Sequence, residues 1–324
     1  MDLSLRYTET EVRVMSNVTQ AARNLITANF ALEPGERLTL VLAPGRDDLR
    51  AAIESVAPEF GVEVVHFALE EENAYELPER MVHALQETNA ALISTKRSYT
   101  HTDGVRGAAA VGARIATNAA LTEDQLVEGL LADYDVIAAR ATRYAGLLDA
   151  AREVRITSEA GSDLTFGIAH QEGLKETGQY HASGMVGNLP AGEAACGIDD
   201  DTGHGTLVVD GSWPGLGLLA SPLTVHYEAG AIVAVEGERA SELETILERH
   251  GPGARRLAEL GLGMNETTRL QGNTLLDEKV TGTVHVAVGN DVTFGGQNDV
   301  GYHADAVVRS PTLFLDGVRV DLPG

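Results

Sequence analysis

The apolar positions of the first 150 residues come in short runs separated by stretches with helical spacing. RLTLVLAP (37–44) is a strand-like run closed by Pro44-Gly45, and RDDLRAAIESVAPEF then places Leu49, Ile53 and Val56 on one helical face. VEVVHFAL predicts a second strand, PERMVHALQETN a helix, AALIST a third strand, and ARIATN a fourth after the Gly-Ala-rich GVRGAAAVGA. Strands that alternate with helices imply βαβ units, because parallel neighbours need crossover connections. The expected fold class is α/β, with residues 1–150 forming a doubly wound α/β domain. APGRDD, not G-x-G-x-x-G, follows the first strand, and its acids would face a pyrophosphate, which argues against a nicotinamide cofactor.

From Arg152 the period changes. REVRITSEAGSDLTFGI holds two alternating segments around a turn, GTLVVDGSW repeats the theme, and LTVHYEAGAIVAVEG predicts a hairpin turning at Glu228-Ala229-Gly230. One helix, SELETILERHG, stops at Gly251-Pro252-Gly253, and the remainder is strand-like to PTLFLDGVRVDLPG. Residues 151–324 are therefore expected to form a β-rich α+β domain, with the boundary near residue 150.

Composition narrows the function. A chain of 324 residues suits two domains, and 24 basic against 48 acidic side chains give a formal charge of −24, which repels nucleic acid and anionic lipid. Cys196 is the single cysteine, so no intrachain disulfide forms. The start MDLSLRYTETEVRVM is charged where a signal peptide needs an apolar core, and no apolar run approaches membrane-spanning length. The expectation is a cytoplasmic protein acting on a small molecule or peptide.

The second domain concentrates metal-competent side chains. In KVTGTVHVAVGND, alternation puts Val284, Val286 and Val288 on one face of a strand and His285 on the other; in GYHADAVV, His303 and Asp305 share a face opposite Ala304 and Ala306. Glu193 in NLPAGEAAC and Glu259 in LAELGLGMN read as acids in glycine-rich loops or element ends. Two imidazoles and three carboxylates suit zinc, cobalt or manganese, and the carboxylate count suits two ions. His101 in SYTHTDG and His181 in YHASGMVG, beside small residues, are candidate catalytic groups in a cleft between the domains, the alternative being surface histidines.

NLPAGEAAC, LAELGLGMN, LLDEKVTGTVHVAVGN and YHADAVV, in this order, resemble the aminopeptidase T and aminopeptidase S family of metallopeptidases, as do SYTHTDGVRGAAAVGARIATN and VRITSEAGSDLTFGI. The resemblance implies a two-metal site of Glu193, Glu259, His285, His303 and Asp305, a homodimer, and hydrolysis of an amide or peptide bond by a metal-activated water. Glu193 or Glu278 would shuttle the proton, Glu278 reading more simply as a salt-bridged loop acid. A neighbouring branch of the same fold is 2,5-dihydroxypyridine dioxygenase, an Fe(II) enzyme with a triad of two histidines and an aspartate. There a histidine stands at the position of Glu259, Glu193 and His285 have no ligating counterpart, and His303 and Asp305 fit both branches. Where the peptidases carry a tyrosine this chain has Val292; Tyr302, beside His303, is the candidate substitute, and its opposite strand direction argues against it. A third expectation keeps the fold as a non-catalytic biosynthetic scaffold.

Overall fold

The computed structural model describes residues 9–70 and 75–323, with side chains from Met15 onward. Residues 1–8 of the charged start read against a signal peptide lie outside the described residues. The chain opens with α1 (Glu9–Asn24) and then alternates β1 (Arg37–Leu42), α2 (Asp47–Val56), β2 (Glu63–Ala68), α3 (Glu79–Gln86), β3 (Ala90–Thr95), α4 (Asp103–Ala110), β4 (Arg114–Ala119) and α5 (Glu123–Leu130). The four strands are parallel; β1, β3 and β4 are buried almost throughout, while β2 at the sheet edge is partly exposed. On one face Val41, Ala91, Ile93 and Ile115 pack with Met81 and Leu85 of α3 and Val105 and Ala108 of α4. Helices α1, α2 and α5 pack together as a separate group. The doubly wound α/β expectation holds.

Helix α6 (Tyr134–Ala150) leads into β5 (Glu153–Thr157), β6 (Asp163–Gly167) and β7 (Leu174–Glu176). The chain then returns with β8 (Val186–Asn188), which adds to β4 and completes the parallel order β2-β1-β3-β4-β8. It leaves again through β9 (Glu193–Gly197), β10 (His204–Val209), the short pair β11 (Ser212–Trp213) and β12 (Gly217–Leu218), β13 (Leu223–Glu228) and β14 (Ala231–Glu236). Helix α7 (Ala240–His250), β15 (Leu257–Gly263), the short α8 (Thr274–Asp277), β16 (Val284–Gly289), β17 (His303–Val308), β18 (Thr312–Leu315) and β19 (Val318–Val320) complete it.

Contacts divide the chain into two units, one of the residues up to Asp135 with Gly178–Ala191, the other of Val136–Thr177 with Gly192 onward. This differs from the boundary near residue 150. Ala141, Tyr144, Ala145 and Leu148 of α6 are buried in the core of the second unit, so the helix goes with it, while the segment carrying β8 belongs to the first.

The second unit holds two antiparallel sheets, β14-β13-β10-β6-β5-β18-β19 and β17-β16-β15-β9-β7. Ile156, Leu164, Leu207 and Val225 of the first share one core with Leu260, Leu262, Val286 and Ala306 of the second. Strand β18 is paired on both sides, by β5 and β19, and leaves the three-residue β19 outermost.

Candidate functional site

The five-stranded sheet spends one face on the core and keeps the other for chemistry. Val284, Val286, Val288, Ala304, Ala306 and Val308 are all buried in the core, so the alternate positions His285, His303 and Asp305 project from the opposite face, as the pattern of β16 and β17 predicts. Glu193 stands at an element end, as the first residue of β9, whereas Glu259 lies inside β15, between β9 and β16. The glycines that suggested a loop serve as floor. Glu259 lies opposite Ala287 and Gly197, His285 opposite Gly261, Glu193 opposite Gly263, and His303 opposite Gly289. Each functional side chain therefore has a small neighbour across the ladder. The register of β15 against β16 shifts between Leu257 and Glu259, a bulge of the kind that re-aims a side chain.

Glu259 ties the constellation together. Its Oε1 lies 3.5 Å from His285 Nε2 and its Oε2 3.1 Å from His303 Nε2, while Asp305 Oδ1 is 3.3 Å from the same His303 nitrogen. Two three-residue groups able to hold an ion follow, Glu193, Glu259 and His285 in one and Glu259, His303 and Asp305 in the other. They differ in preparation. Nδ1 of His303 is 2.7 Å from the Asn290 carbonyl, which fixes the ring and turns Nε2 to the acids. Among the described residues Nδ1 of His285 is buried with no hydrogen-bond partner, as is Oε2 of Glu193, 3.6 Å from His285 Nε2.

A cation that the sequence did not single out sits at one end. Lys279, 1 % exposed, reaches Glu176 at 2.6 Å, Glu278 at 2.8 Å and Glu193 at 2.9 Å, and Glu278 shares a further hydrogen bond with Asp305. Glu278 is thus the salt-bridged acid that its position beside Lys279 suggested. Burial pushes Glu193 up to about 7 against the pull of Lys279, and burial raises Glu278 well above the carboxylate range. Burial opposes charge on His285 and His303, yet the hydrogen bond that His285 donates to Glu259 brings it up to about 9, and the charge of Asp305 brings His303 to about 12. Against burial, the imidazoles hold Glu259 and Asp305 below their ordinary values. The protein alone balances these acids with imidazole protons and one ammonium. A divalent cation among the same atoms would replace those protons, and the donor set of imidazoles and carboxylates fits one.

A cavity of about 660 Å³ is lined by Gly197, the ladder partner of Glu259, and by Phe294, while none of the five candidate ligands lines it. Gly197, in register with Glu259, faces the same side, where a Cβ on it would meet Gln171 Oε1 at 2.4 Å and Phe294 Cβ at 3.0 Å, and all three residues line the cavity. The Phe294 ring lies over His303, centroids 6.4 Å apart and planes at 17°. Asp199, Asp291 and His170 add polar walls. Phe294 and Gln171 were missed because nothing in their spacing marks them; only the fold brings them over the sheet.

The remaining candidates are not members of these groups. His101 and His181 are exposed in the first unit, His181 with Nε2 2.9 Å from the Ala28 carbonyl, and neither belongs to a metal-capable group. Val292 is half exposed and brings no hydroxyl. Tyr302 packs on the core side, stacked on His250 with its hydroxyl accepting from Trp213 Nε1 at 3.0 Å, so it does not take the place of the peptidase tyrosine.

The fold has solved counterparts. It is similar to 2,5-dihydroxypyridine dioxygenase from Pseudomonas putida KT2440, with a TM-score of 0.79 at 17% identity over 95% of this chain and 96% of that one. It is also similar to wild-type AmpT from Thermus thermophilus, with a TM-score of 0.66 at 18% identity over 94% and 97%. No curated protein matches the sequence. Residues 31–324 match the family NicX, 2,5-dihydroxypyridine 5,6-dioxygenase, and the chain belongs to that family, on the dioxygenase branch of the fold.

Proposed function

We propose that the protein is a metal-dependent dioxygenase acting on a small dihydroxylated aromatic ring of the 2,5-dihydroxypyridine type, with one ferrous ion held by Glu259, His303 and Asp305. The observation that carries this reading is the convergence of those three side chains on one position, within the residues that match the family. Ferrous ion, when bound, supplies the one-electron chemistry that dioxygen requires. The rest falls to the chain. Asn290 anchors His303 through Nδ1, Glu278 braces Asp305, and Glu259 is fixed in a central strand, so the three donors are pre-aimed. The cavity beside Glu259 accommodates a single aromatic ring, with Phe294 as a flat wall and Gln171 and the acids as hydrogen-bond partners for hydroxyl groups. Glu259 makes the set one imidazole and two carboxylates in place of the two imidazoles and one carboxylate of the usual triad, a harder set that also admits Mn(II).

A second reading, a two-ion hydrolase of the aminopeptidase type, draws support from one feature: the two oxygens of Glu259 face two different imidazoles, the disposition of a carboxylate shared between ions. Apoprotein reconstituted anaerobically with Fe(II), Mn(II), Zn(II) or Co(II) separates the two. Oxygen uptake with 2,5-dihydroxypyridine in the iron form supports the dioxygenase; release of p-nitroaniline from aminoacyl anilides by the zinc or cobalt form, without oxygen uptake by the iron form, would replace it with the hydrolase.

A further inference from the structure

We infer that Lys279 sets the metal stoichiometry of the site: its ammonium supplies from within the positive charge that a second divalent ion would bring beside Glu193, and so leaves one ion position, at Glu259, His303 and Asp305. The inference rests on the reading of this cluster as a metal site and deepens it, because it chooses between one ion and two.

The geometry around the ammonium carries the argument. Lys279 has three N–H donors and three carboxylates within 2.6 to 2.9 Å, so none of its hydrogens is left for solvent or substrate. Glu193 gives Oε1 to it and keeps only Oε2 for His285 and any ion. A divalent cation at the Glu193, Glu259 and His285 group would stand one carboxylate away from a fixed positive charge in a largely buried site. Repulsion between a unit charge and a double charge a few ångströms apart, at the effective dielectric of buried sites, exceeds what a tenfold change in affinity requires. Orienting Glu193 gives back only the rotamer freedom of one side chain, which is smaller.

His285 supports the same conclusion independently. Metal-ligating imidazoles donate their second nitrogen to an acceptor, and His303 has the Asn290 carbonyl for this, whereas Nδ1 of His285 has no partner among the described residues. The two groups share Glu259, yet one has a braced ligand and no neighbouring cation, and the other has an unbraced ligand and Lys279. Lys279 is a positioning residue here, acting through Glu193 and Glu278 and touching neither ion nor substrate.

The test is the number of ions bound. Removing Lys279 alone leaves three buried acids without a counter-cation and risks the fold. The double variant Lys279→Met with Glu176→Gln removes one positive and one negative charge and keeps the net charge of the cluster. Wild type and double variant are stripped of metal, checked for a cooperative melt, and titrated with Co(II) by calorimetry and by absorption of the bound ion. The expected result is one equivalent in wild type and a second in the variant, tightened at least about tenfold. Lys279→Arg, which keeps the charge, should stay at one. Two equivalents in wild type, or one in a folded double variant, would overturn the inference while leaving the metal site standing. No ion bound by wild type would overturn the site itself and the inference with it.

Discussion

The imidazole of His285 occupies the space in which Gly261 would otherwise carry a side chain. A Cβ built on Gly261 stands 1.9 Å from Nε2 and 2.1 Å from Cε1, and the two residues are direct partners across β15 and β16. Glycine is required here for room and not for an unusual backbone. Gly261→Ala should therefore push His285 off its rotamer at a cost of roughly 1–3 kcal/mol, the range for overpacking a closed site. Calorimetry should register a melting temperature lower by several degrees. A variant that melts with wild type would mean that the ring has somewhere to go.

That pair also marks where the sequence stops being legible. Periodicity alone aimed His285, His303 and Asp305 away from the core, because β16 and β17 alternate valine or alanine with polar residues and one face had to be buried. Turns and helix stops placed most elements of both units. Glu259 was harder: LAELGLGMN looks like a loop, since a glycine that accommodates a neighbour's side chain cannot be told from a glycine that permits a turn until the neighbour is known. Lys279 was hidden for a related reason. Adjacent to Glu278 it looks like a solvated charge pair, and only the pairing of β7 with β9, which sets Glu176 opposite Glu193, shows that it is enclosed by acids.

Removal of a ligand from the braced group should be decisive for metal binding. Asp305→Ala deprives His303 of its partner at 3.3 Å and should abolish tight binding of Fe(II) and Co(II). It should also cost stability on the order of 2 kcal/mol, because buried charge loses compensation. His303→Ala should lose the metal likewise, whereas Glu259→His should keep one ion and shift preference toward ferrous ion by restoring a second imidazole. Elemental analysis of the purified variants reads all three, and full metal content in Asp305→Ala and His303→Ala would remove these residues from the site.

Cys196, buried in β9, the strand that also carries Glu193, should be chemically silent. Burial pushes its thiol above the ordinary value of 9.0, with Glu259 adding to the effect. A group whose folded value is raised favours the protonated form, so its stabilising contribution is complete below pH 9 and is lost as pH climbs above it. Alkylation needs the thiolate. Native protein at pH 8.5 should resist iodoacetamide for hours and react within minutes once unfolded in guanidinium; rapid labelling of the native state would show that the core around β9 opens readily.

Phe294 offers the most direct test of what the cavity holds. Its ring lies nearly parallel to His303, on the wall that closes about 660 Å³ of space beside Glu259. A planar ring bound there would gain an offset aromatic contact worth roughly 0.5–1.5 kcal/mol beyond its buried area. Phe294→Ala should accordingly raise KM for a dihydroxylated aromatic about three- to tenfold, while metal content stays at the wild-type level because phenylalanine carries no metal-ligating atom. Phe294→Tyr, which keeps the ring, should restore most of the loss. An unchanged KM in Phe294→Ala would place the substrate on another part of the sheet face, and loss of metal in that variant would show that the ring holds His303 in position and does not contact the substrate.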